Sequence, residues 1–158
     1  MKNTITNIGL NAESTTEISI QLNDLLSNYQ LFYMNLRGFH WNITGKKFFE
    51  LHLKFEELYN DALIKVDEIA ERILTLSNTP IHTFSEYLDK SEIKSAENVF
   101  DGDVAINQIL ESLKVLITKE RIILQSAAEA NDEGTVSLLS DYIVEQEKLV
   151  WMLTAYKN

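Results

Sequence analysis

The chain has 158 residues, about the span of one hydrophobic core, and 45% of it is apolar, with seven Phe, six Tyr and two Trp, which excludes an intrinsically disordered polymer. One Pro and five Gly argue against a turn-rich all-β fold, and the absence of Cys excludes a disulfide scaffold and any zinc site built on thiolates. Fourteen basic residues against 24 acidic ones leave a formal net charge of −10, a field that attracts cations and repels phosphate backbones.

Residues 1–13 are polar, with Lys2 and Glu13 as their only charges and no period, and are expected to form a flexible arm ahead of a bundle domain over residues 14–158. Ser14-Thr15-Thr16-Glu17 has the capping-box form that starts a helix. Ile18, Leu22, Leu25, Tyr29, Phe32, Leu36 and Phe39 then alternate steps of four and three, drawing one apolar stripe down a first helix that runs to about Trp41. Asn42 to Gly45 reads as a short turn. A second stripe follows at Phe48, Leu51, Phe55, Leu58, Ala62, Val66, Ile69, Ile73 and Leu76, in a helix that must end before Pro80.

Residues 77–100 form a long connection, in which Thr83-Phe84-Ser85-Glu86 is a second capping box and predicts a short helix. Asp101-Gly102-Asp103 opens a third long helix with its stripe at Ile106, Leu110, Leu113, Ile117, Leu124 and Ala127. Asn131 to Gly134 breaks it, and Leu139, Tyr142, Leu149, Leu153 and Tyr156 mark a fourth. Two short turns and one long crossover between four amphipathic helices describe an all-α four-helix bundle. The longest apolar run, Leu149 to Leu153, falls far short of the ~20 residues of a membrane span, and the N-terminus leads into no stretch of signal-peptide length. The expectation is an unprocessed cytoplasmic protein with no membrane partner.

Two of the three histidines frame the first turn, His40 before it and His52 after it, so an antiparallel hairpin can bring both imidazoles to one level, where they could share a metal. Glu56 lies one helical turn beyond His52, and Asp67 and Glu71 form a second pair four residues apart on the same helix. At about 100° per residue, His52, Glu56, Asp67 and Glu71 fall within an arc of roughly 100°. The fifteen residues from His52 to Asp67 nevertheless span ~22 Å along the axis, against metal–ligand bonds of ~2 Å. One chain cannot close this constellation.

A second copy of the helix lying antiparallel could close it, with the two-fold axis near residues 61–62, where Ala62 is small enough for close approach. Mixed imidazole and carboxylate ligands suit iron(II), manganese or zinc. The Glu-x-x-His signature of single-chain di-iron bundles is absent, so iron, if bound, is bound between subunits. Taken singly, Asp67 and Glu71 are better explained as members of a solvated charged face, and a histidine near a helix C-terminus as a favourable dipole contact or a surface residue. It is the single symmetry operation collecting two imidazoles and three carboxylates that points to a metal.

The run Arg37-Gly38-Phe39-His40-Trp41-Asn42-Ile43-Thr44-Gly45, with Phe48, His52, Tyr59, Asp67, Ala70, Glu71 and Arg72, resembles the signature of the Dps proteins, or mini-ferritins. The resemblance extends through Pro80, Thr83 and Glu86-Tyr87-Leu88, Asp132 to Thr135, and Trp151. It implies a ferritin-like four-helix bundle with a short extra helix in the crossover between the second and third long helices. It also implies a homo-oligomer, a hollow dodecamer built from two-fold dimers. Members of this kind act as ferroxidases: they oxidise Fe(II), preferably with hydrogen peroxide, and store Fe(III), protecting against oxidative damage.

By matching positions, the iron ligands and catalytic residues would be His40, His52 and Glu56 of one subunit with Asp67 and Glu71 of the next, Glu56 standing where the family more often carries Asp. Six acids and no basic residue between Glu129 and Glu147 lie where the family lines cation pores, Asp132 and Glu133 being the leading candidates for this chain. The competing expectation is a nucleoid-associated protein that condenses DNA and whose metal sites are secondary. Its usual device is a basic terminal tail, whereas the termini here offer Lys2 and Lys157. DNA binding is therefore expected to be weak or absent.

Overall fold

The computed structural model describes residues 4–158; residues 1–3, the tip of the expected arm, lie outside the described residues. Five helices follow in order: α1 (Ala12–Asn42), α2 (Phe48–Thr75), α3 (Phe84–Lys90), α4 (Gly102–Glu129) and α5 (Glu133–Lys157). The four long ones pack as a bundle, α1 against α2 and α4, α4 against α5, with α3 lying on α1. No helix among the described residues is long and apolar enough to cross a membrane.

Helix α1 starts two residues ahead of the expected capping box. Asn11 is the cap, its side-chain oxygen accepting from the Ser14 backbone N–H at 3.0 Å. The chain ahead of it folds back through a turn at Gly9 (φ 82°) and an Ile5–Asn11 bridge, which delivers Asn11 to the helix end. Helix α4 begins on Asp101 as expected, its side chain accepting from the Val104 N–H, and α5 begins on Asp132, which accepts from the Thr135 N–H. In α3 the box closes differently, since the Thr83 hydroxyl donates to the Glu86 carboxylate at 2.7 Å and caps no backbone group.

The apolar stripe of α1 is buried along its whole length, and Leu51, Phe55, Ile69, Ile73, Ile106, Leu113, Leu139 and Leu153 meet it in the core. Ala62 is also in this core, 1% exposed, because its helical period places it with Phe55 and Ile69. The expectation that it marks a point of close approach between subunits is therefore wrong. Leu63, one position on, is exposed on the other side of the helix.

The long crossover is tied to α1 by three asparagines. Asn23 donates to the Thr79 carbonyl and accepts from the Ile81 N–H, and Asn35 does the same with the Lys94 carbonyl and the Ala96 N–H. Between them the Asn28 side-chain oxygen accepts from the N–H groups of Glu92 and Ile93 and from the Ser91 hydroxyl. These contacts satisfy backbone groups that a connection without regular structure would otherwise leave unpaired against a buried surface.

A polar layer crosses the middle of the core. The Tyr29 hydroxyl donates to Glu120 Oε1 at 2.5 Å, Gln146 donates to the same oxygen at 3.1 Å, and the Gln146 amide also meets the Tyr29 hydroxyl. Beside it Tyr142 donates to Glu68 at 2.5 Å, and the Lys65 ammonium, above the Tyr142 ring, pairs with Asp61 and Glu145. Burial alone would lower the Lys65 pKa, but its two carboxylate partners outweigh that and leave it raised. Glu120 is fully buried, its second oxygen makes no hydrogen bond, and burial pushes its acid up to about 7 despite donation from Tyr29 and Gln146 and the nearby charges of Lys65 and Arg121.

The native state thus holds a proton on Glu120 that the unfolded chain gives up from about pH 4.5, so this residue's contribution to stability falls as the pH rises from 4.5 through 7. Glu120→Gln is expected to gain roughly 2–3 kcal/mol relative to the parent at pH 8, and little at pH 4.5. Thermal midpoints of the two proteins across that pH range, at one protein concentration, check both the sign and the window.

Candidate metal centre

Helix α1 ends at Asn42, and the chain reverses through Gly45, whose φ of 107° is a left-handed conformation that suits glycine. The reversal is pinned from outside by the Thr44 N–H and hydroxyl, which donate to the Phe100 carbonyl at 2.9 and 3.3 Å. Next to it Gly102 opens α4 directly against Leu51, so closely that a Cβ there would lie 2.4 Å from the leucine methyl. These contacts hold the turn between α1 and α2 against the start of α4.

Beside this turn His40 and His52 clasp. His40 Nδ1 lies 2.6 Å from the His52 carbonyl oxygen, and His52 Nδ1 lies 2.7 Å from the His40 carbonyl oxygen. A carbonyl can only accept, so both rings carry a proton on Nδ1, and in the neutral imidazole this leaves the lone pair on Nε2. The rings stack, with centroids 3.8 Å apart and planes 14° from parallel. Phe48 stacks on the outer face of His52 at 4.9 Å and 18°, and Tyr59 makes a T-shaped contact with His40 at 5.3 Å. His40 is buried and His52 half-buried.

Glu56, half-buried, stands one turn along α2 from His52, while Asp67 and Glu71 are exposed near the other end of the same helix. Among the described residues no three histidine, cysteine, aspartate or glutamate side chains gather closely enough to hold a metal ion. Thus the two imidazoles meet as expected, and the distal carboxylates stay apart from them. The arc of α2 that carries all four ligand candidates also carries Phe49, Leu53, Leu63 and Leu74, each of them exposed. Acids and exposed apolar side chains interleaved on one helix face are what a helix–helix contact with another chain would cover.

The distal end of α2 has its own anchor. Arg72, next to Glu71, donates from Nε to the Thr135 hydroxyl at 2.9 Å and from Nη2 to Asp132 at 2.5 Å, and Asp132 is 1% exposed. Asp132, expected as a pore acid, instead faces inward and caps α5. Glu145 and Glu147 are exposed but paired within the chain, with Lys65 and Arg121, and Glu129, Glu133 and Asp141 are exposed as well. Periodicity gave no warning of Asp132, because its partner is on another helix.

The ferritin-like domain profile matches residues 20–158. A DNA protection during starvation protein from Porphyromonas gingivalis is 42% identical over 156 residues, covering 99% of this chain and 98% of its own. The crystal structure of a Dps protein from Vibrio cholerae, described as a member of a broad superfamily of ferritin-like diiron-carboxylate proteins, is similar at a TM-score of 0.96 and 51% identity, over 98% of this chain and 97% of that one. A Dps crystal structure from Bacillus brevis gives 0.89 and 33%, over 92% and 98%. A five-helix chain of this topology with this match is a ferritin-like protein. Within that class it belongs to the Dps family.

Gly134 sits where an added Cβ would lie 2.7 Å from both terminal nitrogens of Arg72. In an ordinary helix Gly→Ala stabilises by about 1 kcal/mol. Here Gly134→Ala is expected to destabilise by about 1–3 kcal/mol, because the guanidinium must leave Asp132 and Thr135. The sign of the change in thermal midpoint distinguishes the two.

Proposed function

We propose that this protein is an iron-oxidising and iron-storing member of the Dps family, with its oxidation sites built between two-fold-related subunits. In this reading His40, His52 and Glu56 come from one subunit, Asp67 and Glu71 from the other, and iron is the substrate and stored cargo. The observation that carries it is the imidazole clasp: both rings are locked in the tautomer that leaves Nε2 free, beside Glu56, on a helix face whose remaining acids lie ~22 Å away. An antiparallel copy of α2 would bring Asp67 and Glu71 to the clasp and cover Leu53, Leu63 and Leu74 in the same step.

A metal ion lies in the plane of the imidazole that binds it, about 2 Å from the nitrogen. Two rings stacked 3.8 Å apart and 14° from parallel do not converge within that distance. The expected shared ion therefore becomes two neighbouring ions, one for each imidazole, with the carboxylates supplying hard oxygen ligands to the ferric product. Two ferrous ions give one electron each to hydrogen peroxide, and two protons complete its reduction to two waters. Paired delivery leaves no one-electron oxygen product, which is the protective part of the reaction. The residues of the chain bind, hold the rings in register and keep the ions adjacent. The family resemblance further favours a hollow dodecamer in the cytoplasm.

His52→Ala and Asp67→Asn are each expected to abolish peroxide-dependent Fe(II) oxidation. Co-assembled in equal amounts, they should regain about a quarter of the parent activity, since half the dimers are mixed and each mixed dimer has one intact site. Absence of recovery in stopped-flow iron oxidation would place the ligands in one chain.

The paired or exposed acids and the net charge of −10 per chain predict that metal-free protein does not retard plasmid at moderate salt. A gel shift that weakens with added salt would favour the nucleoid reading.

A further inference from the structure

We infer that Phe48 is a positioning residue for the metal-binding edge of His52, and that the flat face of its ring, rather than its bulk, is what the site uses. The inference rests on the reading that His52 Nε2 binds metal. Phe48 opens α2, and Lys47 ahead of it makes no side-chain capping bond, so the first turn depends on the Phe48 N–H donating to the Gly45 carbonyl at 3.2 Å and on packing. His52 lies one turn further on, the spacing at which two side chains of a helix meet.

A single hydrogen bond from Nδ1 fixes one edge of the His52 ring and leaves the ring able to swing about that contact. Two flat neighbours remove the swing. His40 covers one face at 3.8 Å and Phe48 the other at 4.9 Å, with both planes within 18° of the His52 plane. His40 has a different arrangement, a T-shaped contact with Tyr59, and Tyr59 in turn makes a T-shaped contact with Tyr33 at 6.2 Å. The column Phe48, His52, His40 and Tyr59 is thus closed at both ends by aromatic side chains that make no hydrogen bond to either imidazole ring. Phe48 is half-buried while its neighbour Phe49 is 85% exposed, so the two adjacent phenyl rings do different work.

The test uses the assembled, metal-free full chain and Co(II) as probe, with affinity from calorimetry and ligand geometry from the d–d absorption band. The parent protein and the His52→Ala, Phe48→Leu and Phe48→Tyr variants are compared, with native mass and thermal midpoint in parallel. Phe48→Leu is expected to weaken Co(II) binding about three- to tenfold and to change the band, as loss of one aromatic contact predicts, at unchanged native mass. Phe48→Tyr, which keeps the flat face, is expected to stay within about twofold of the parent.

Parent-like Co(II) binding by Phe48→Leu overturns the inference, and so does an equal loss in Phe48→Tyr. If Phe48→Leu fails to assemble, Phe48→Met, apolar and unbranched but without a flat face, takes its place with the same expected loss. Absence of any His52-dependent Co(II) binding in the parent would instead overturn the metal reading itself.

Discussion

The level of α1 against α2 is set by a reciprocal bond between two imidazoles and two backbone carbonyls, and the candidate chemistry depends on it. His40 lies in the last turn of α1, where carbonyls have no intrahelical donor. The His52 ring supplies the missing donor to the His40 carbonyl, and the His40 ring returns the bond across the turn. One pair of contacts thereby closes a helix end, fixes the stagger of two helices and selects the ring tautomer. A histidine replaced by an apolar residue of similar size would lose all three together.

Helix α2 is held at both ends by different means. Near its start the imidazole clasp and the Leu51–Gly102 approach fix it to α1 and α4; near its end the Arg72 guanidinium fixes it to the first turn of α5. Between these anchors the outward arc, with Glu56, Leu63 and Asp67, has no counterpart among the described residues. Placing rigid anchors at the two extremes of a long helix suits a surface that must match an inverted copy of itself, since an error in helix position would be doubled across a two-fold axis.

Much of this was legible in the sequence because core and stripe obey one period. Ile18 to Phe39 and Leu51 to Leu76 could be placed from spacing alone, and so could the meeting of His40 with His52, because a short turn leaves a hairpin little freedom. What spacing could not show is set by a neighbouring helix. Glu120 and Gln146 are charged or polar residues at core positions and are tolerated there because Tyr29 stands opposite. Asp132 reads as a surface acid from its sequence neighbours, and its burial is set by Arg72, which reaches it from α2. Ala62 belongs to the apolar stripe by its period with Phe55 and Ile69, and lying at the midpoint of the ligand set does not bring its small side chain to the surface. The inter-subunit ligand set could be proposed from the length of α2, yet its closure depends on a second chain that no single-chain pattern describes.

Asn23, Asn28 and Asn35 bind the crossover through amide contacts to main-chain atoms and to one serine hydroxyl, and nearly every partner they grip is present whatever side chain the crossover residue carries. The path of this connection is thus encoded largely in α1, with the buried Tyr87, Ser91 and Ile93 as its own contribution. Apart from those three, substitution along residues 79–96 can accumulate with little penalty to the bundle, which frees that strap to diverge in what it shows to the outside while its route stays constant.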